Sequence, residues 1–170
     1  MQIFMTIART LQMMLSAVVL GLSINLARHQ VYGKVPSQTG YAAFTGALGV
    51  IATLVGIASI SIASLRGVVT WLLDGLAGVA LLAAGIVYAV ALGTVNCDNT
   101  SAKPGLAWDN VLISGGCYFD KDGRKWCMDG HDGEYIHPRC VRAKADAAFM
   151  FLAFIACAVV LVASYMSRNR

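Results

Sequence analysis

Charge is scarce in this chain. Asp, Glu, Lys and Arg make up 13% of its 170 residues, against roughly 25% in ordinary soluble domains. No block of five or more like charges occurs, which excludes a polybasic lipid-binding tail, and a scattered net charge of +4 does not suit nucleic acid. Catalytic signatures are missing as well. The chain has no C-x-x-C of the kind a four-helix thiol oxidoreductase uses, no H-E-x-x-H, no G-x-S-x-G and no P-loop. The expectation is a protein that is not an enzyme and needs no cofactor.

What the chain does have is four long runs of uncharged residues, Thr10–Ala27, Tyr41–Leu65, Trp71–Val95 and Ala147–Tyr165, broken only by Asp74. Each is about as long as an α-helix must be to cross ~30 Å of hydrocarbon. They are apolar all round rather than striped, which marks lipid-facing or fully buried helices. The predicted fold is therefore an all-α membrane protein, a single four-helix domain over residues 1–170 with spans at 10–27, 41–65, 71–95 and 147–165. The first run is longer than a signal-peptide core and no clean small-x-small cleavage site follows it, so it reads as a retained helix.

Most of the charge sits in the long loop at 96–146, and so do four of the five cysteines, Cys97, Cys117, Cys127 and Cys140. An even number in one polar segment reads as two disulfides, which places the loop in an extracellular or lumenal compartment and both termini in the cytoplasm. The distribution of Lys and Arg argues the other way. Arg9, Arg66, Arg168 and Arg170 fall on the proposed inner side, while Arg28, Lys34 and seven loop cations fall outside. The cysteines report on redox compartment directly, and they carry the orientation.

Within the loop, Asp122-Gly123 signals a small β-hairpin. Folding back around it sets Cys117 opposite Cys127, within disulfide range, and leaves Cys97 for Cys140. The other two connectivities stay open. The acid- and glycine-rich stretches Asp120–Gly123 and Asp129–Glu134 lack EF-hand spacing, and His131 and His137 lack zinc-site spacing, so no metal is expected. Asn99-Thr-Ser101 fits the N-glycosylation triplet, close to the end of the third span.

Small residues recur along the middle spans. Gly46, Gly49, Ala52, Thr53, Gly56 and Ser59 fall largely on one side of the second helix. Gly78, Gly85, Ala89 and Gly93 do so on the third. Such faces allow close backbone approach, which drives helix association in lipid. Asp74 lies about one turn into the third span. The plain reading puts it at headgroup level, favoured by the helix dipole, and the alternative is an ion pair with Arg9 or Arg66. No other acid or histidine is expected inside a span. Cys157 reads as a packing residue, and Tyr41, Trp71, Tyr88 and Tyr165 as interface anchors.

Several motifs taken in order resemble the MARVEL-domain tetraspan proteins, and within them the fungal branch that includes the non-classical-export membrane proteins. They are Ala8-Arg-Thr-Leu-Gln12 followed by Leu20-Gly-Leu22, Leu73-Asp-Gly-Leu76, Asn96-Cys97, and Arg139-Cys-Val-Arg-Ala-Lys-Ala145 leading into Ala148-Phe149. The resemblance runs along the whole chain, although the Gly115–His137 insert with its second cysteine pair is longer than the fungal pattern implies. It implies cytoplasmic termini and a role in lateral membrane domains, trafficking or export sites, in the plasma membrane or a secretory endomembrane. The expected partners are membrane lipids, sterols or sphingolipids among them, and other membrane proteins or further copies of the chain. Two other classes fit the residues: a small transporter or channel, with Asn25, Asp74, Ser59, Ser61 and Ser64 as its polar residues, and a receptor or adhesion module. The latter would act through Tyr118, Phe119, Trp126 and Tyr135 of the loop.

Overall fold

In hydrocarbon a backbone has no water to bond with, so an uncharged run that stays there must satisfy its own N–H and C=O groups as a helix. The computed structural model, which describes residues 2–30, 32–61, 67–93, 95–98, 110–123, 125–127 and 136–168, contains four such helices. They are α1 (Gln2–Arg28), α2 (Ser37–Ser61), α3 (Val68–Leu92) and α4 (Ile136–Arg168). All four are long and apolar enough to cross a membrane.

The helix ends differ from those that charge alone marks out. α1 begins eight residues earlier than the predicted run, and α2 and α3 begin three or four residues earlier. The largest difference is in α4, which starts at Ile136 and takes in Arg139, Arg142, Lys144 and Asp146, all assigned above to the loop. At 33 residues α4 is about 50 Å long, well beyond the hydrocarbon thickness. Charged residues end the apolar run but not the backbone ladder, and Pro138 sits in the first turn, where it breaks no intrahelical bond. At the other side of the loop, Gly93 ends α3 with φ 48°, its N–H on the Ala89 carbonyl at 3.0 Å.

Each helix packs on its two neighbours in chain order, and α4 closes the ring against α1. Successive helices run antiparallel. Gly46 lies against the backbone of Leu20, Gly49 against Ser16 and Gly56 against Arg9, while on the far side Gly78 meets Cys157 and Gly85 the ring of Phe151. These five glycines are the packing surface between α1 and α2 and between α3 and α4. Ala89 is exposed instead, and Gly93 serves as the cap of α3, so neither belongs to the internal face. The outside is aliphatic on every helix, with Leu11, Leu54, Val79 and Ile155 among many exposed side chains. Trp71 and Tyr165 pair their rings 5.7 Å apart near the termini end.

Above α3, residues 110–116 form an uncharged tongue that plugs the loop end of the bundle, with Leu112 and Ile113 buried in the same core as Leu26, Leu92 and Ile136. Asn110 anchors it by donating to the Ala91 carbonyl at 2.6 Å. Gly116, at φ 107°, lies so close to the Tyr32 carbonyl that no side chain fits. Beyond the tongue, β1 (Cys117–Phe119) and β2 (Lys125–Cys127) pair antiparallel, with Cys117 opposite Cys127. Cys117 is disulfide-bonded. Cys97 and Cys140 are bridged across 5.6 Å between Cα atoms, tying the exit of α3 to the first turn of α4. Asn99, Arg66 and Ser64 lie outside the described residues.

Candidate functional site

The inward stripe of α1 is polar. Arg9, Gln12, Ser16, Val19, Ser23 and Leu26 follow one another at steps of three and four, and every one is buried. That spacing keeps them on one helix face, directed at the bundle axis. The spacing is present in the sequence, but averaged hydropathy hides four polar residues among long aliphatic ones.

At the termini end, Arg9 and Gln12 meet Asp74 of α3 across the bundle. Arg9 Nη1 donates to Asp74 Oδ1 at 2.6 Å, and Gln12 Nε2 donates to the same oxygen at 3.2 Å. Gln12 Oε1 faces the guanidinium at 3.4 Å, and Gln12 Nε2 also reaches Cys157 Sγ of α4 at 3.2 Å. Asp74 lies inside the bundle as one half of an ion pair: its side chain is 1% exposed and that of Arg9 7%. The guanidinium fits because α2 carries glycine there. A Cβ on Gly56 would stand 2.5 Å from Arg9 Cζ. All four helices thus build one closed polar layer, with Cys157 a member rather than mere filler.

A second layer lies at the loop end. Ser23 Oγ donates to Asp146 Oδ2 of α4 at 2.7 Å. The Tyr88 hydroxyl of α3 neighbours Ser23, Asp146 and Thr39 of α2. Asp146 and Tyr88 are both fully buried. Two expectations are corrected by this. Asp146 is a second acid within a helix, not a loop residue, and Tyr88 is a core residue, not an interface anchor. Directly above, Arg139 donates to the carbonyls of His29 at 2.8 Å, Ile113 at 3.1 Å and Leu112 at 3.4 Å, and to Gln30 Oε1 at 3.4 Å. One guanidinium therefore fastens α4 to the tongue and to the α1–α2 connection.

Eleven residues separate Gln12 from Ser23 on α1 and Cys157 from Asp146 on α4, about 16 Å along the axis. Between the layers the core is closed by Val19, Leu81 and Met150, each fully buried. Ser16 lies there without a hydrogen-bond partner, against Gly49. Of the polar residues named for a transport path, Ser59 bonds the carbonyl of Gly56 in its own helix, Asn25 receives Arg142 and Asp74 pairs with Arg9, while the side chains of Ser61 and Ser64 lie outside the described residues. Among the described residues no three His, Cys, Asp or Glu side chains converge as a metal site.

Four apolar helices that turn their polar groups inward and a bare aliphatic exterior outward define an integral tetraspan membrane protein. The MARVEL family model, a membrane-associating domain, matches residues 2–163, and the chain belongs to that family. No curated protein and no solved structure matches it.

Proposed function

We propose that this MARVEL protein is a non-enzymatic organiser of lateral membrane domains, acting at trafficking or export sites in the plasma membrane or a secretory endomembrane. Its termini are cytoplasmic and its cysteine-bearing loop lumenal or extracellular. The kinship to the fungal export-associated branch belongs to the same proposal. The observation that carries it is the disposition of polarity. The buried charged groups within the bundle face inward, Arg9 paired with Asp74 and Asp146 held by Ser23, while the surface offered to the bilayer is largely aliphatic. Such a surface meets lipids and other spans rather than a soluble substrate. One part of it is shaped: an apolar groove of about 390 Å³ runs between Phe4 of α1 and Phe154, Val159 and Met166 of α4. A sterol ring system or acyl chain is the chemistry that fits it.

Imaging a tagged copy before and after sterol or sphingolipid depletion tests the reading. The expected result is discrete patches that disperse on depletion. Uniform distribution under both conditions, with the protein correctly folded, counts against it. The transporter reading is checked in parallel by solute and ion flux in liposomes, where the apolar layer of Val19, Leu81 and Met150 leads us to expect none. A receptor reading draws on Tyr118 and Phe119, which the hairpin exposes at 46% and 71%. Replacing the hairpin would then abolish partner binding while leaving patch formation intact.

A further inference from the structure

The loop-end layer holds a carboxylate that the fold leaves without a counter-charge. Asp146 is fully buried, Ser23 is the side chain that bonds it, and its Oδ1 has no partner. The Tyr88 hydroxyl, equally buried, stands beside the Ser23 and Thr39 side chains but makes no hydrogen bond of good geometry with either. Every element around the site can be checked for a cation. From α1 comes Ser23, with His29 exposed beyond it and turned to the Asn25 carbonyl. From α2 comes Thr39 and from α3 Tyr88. α4 itself carries Arg139 and Arg142 one to two turns towards the loop. Arg139 donates to four oxygens of the tongue and of residues 29–30, and Arg142 to Asn25. No described cation touches Asp146.

A buried ionised carboxylate without a partner is among the costlier things a fold can contain, and an unpaired buried hydroxyl adds to it. A single occupant answers both. We infer that Asp146, Ser23, Thr39 and Tyr88 form a binding site for one small monovalent cation, a proton or a sodium ion, two turns of α4 below the Arg139 that holds the tongue. Both sources share the chemistry the site asks for: one positive charge beside Oδ1, shared with neutral hydroxyl oxygens that can each accept. A proton on Oδ1 donates towards the Tyr88 hydroxyl, directly or through one water. Sodium, a hard ion, takes the same oxygens as ligands. One carboxylate is too little charge to hold a divalent ion there. The inference does not depend on the organiser reading.

The test uses the full chain in lipid nanodiscs, with thermal unfolding followed from acid to alkaline pH in choline chloride or sodium chloride. In the unfolded chain Asp146 gives up its proton at ordinary acid pH. Stability from the occupied site is thus present at low pH and lost as pH rises through the native site's own transition. In choline chloride the wild-type midpoint should fall on alkalinisation, and Asp146→Asn should remove that fall. Infrared difference spectra should show a carboxylic-acid C=O band, absent in Asp146→Asn, which identifies the proton. If sodium chloride but not choline chloride restores the alkaline midpoint, sodium occupies the site when the proton leaves. Should Asp146→Asn fail to fold, Ser23→Ala and Tyr88→Phe keep the carboxylate and should each shift the pH of the transition. Identical profiles for wild type and variants in both salts, with no carboxylic band lost, overturn the inference.

Discussion

Removing one member of the Arg9–Asp74 pair should cost far more than its share of the pair suggests, and removing both should cost less than the two losses together. The pair is 2.6 Å long, and its side chains are 7% and 1% exposed. Breaking a buried ion pair from one side typically costs about 3–5 kcal/mol, because the surviving charge stays behind in low dielectric. Asp74→Asn keeps an acceptor for Gln12 but leaves the guanidinium pressed against Gly56 with no counter-charge, so it belongs near the lower figure. Arg9→Gln leaves Asp74 with one neutral donor, Gln12, and belongs nearer the upper. The double variant has no buried charge left, only amides able to bond one another, and should lose about 1–2 kcal/mol.

The coupling between the two positions is then about 6 kcal/mol, well above the usual range for residues in direct contact. It can be read from reversible unfolding in mixed micelles, using the fluorescence of the native tryptophans and the four members of the cycle. Additivity within about 0.5 kcal/mol would show that the two side chains do not interact in the folded bundle. The closed polar layer described above would then be wrong.

Further outcomes follow from the helix contacts and the disulfide. Gly56→Ala should displace the Arg9 guanidinium and cost about 2–3 kcal/mol, but much less in an Arg9→Gln background, a difference the same unfolding assay resolves. Gly46→Ala, whose Cβ would stand 2.7 Å from the Leu20 backbone nitrogen, should cost about 1–3 kcal/mol. Gly21→Ala, with nothing within 4 Å, should instead gain about 0.5–1 kcal/mol of helix propensity, and equal effects at the two positions would contradict the packing. Reducing the Cys97–Cys140 bridge, which closes 43 residues, removes a constraint worth up to about 4 kcal/mol on chain-entropy grounds. Because α3 and α4 already hold the ends near each other, hydrogen exchange should rise in the tongue and around Arg139 while the spans stay protected.

The four spans were legible because absence of charge over some twenty residues has one physical meaning in a chain of this hydropathy. Their ends were not, since Arg139, Arg142 and Lys144 lower a hydropathy average without interrupting a helical ladder. The assignment of Asp146 to the loop came from that same confusion of an apolar run with a helix. The packing glycines were partly readable. A four-residue step puts Gly85, Ala89 and Gly93 on one side, but it does not say that Phe151 of α4 comes down on Gly85 alone, nor that the helix stops at Gly93. The polar stripe of α1 was in plain view and its partners were not. Gln12 reaches residues 62 and 145 positions away, and no local pattern encodes such pairings.

Those long-range polar contacts bear on how the bundle holds one register at all. In lipid, sliding one apolar helix along another changes little, because the hydrocarbon is as good a neighbour as the next span. A slip of α4 by one turn would carry Cys157 away from Gln12 and Asp146 away from Ser23 at once, and a slip of α3 would part Asp74 from Arg9. Two polar layers about 16 Å apart therefore pin both position and tilt, in a way one layer could not. Between the two polar layers no charged side chain faces outward with which to clamp a neighbour. Contacts made from that surface rest on shape and on the surrounding lipid, and they form and disperse as its composition changes. A protein proposed to gather membrane into domains needs that combination of a pinned interior and a weakly committed outer surface.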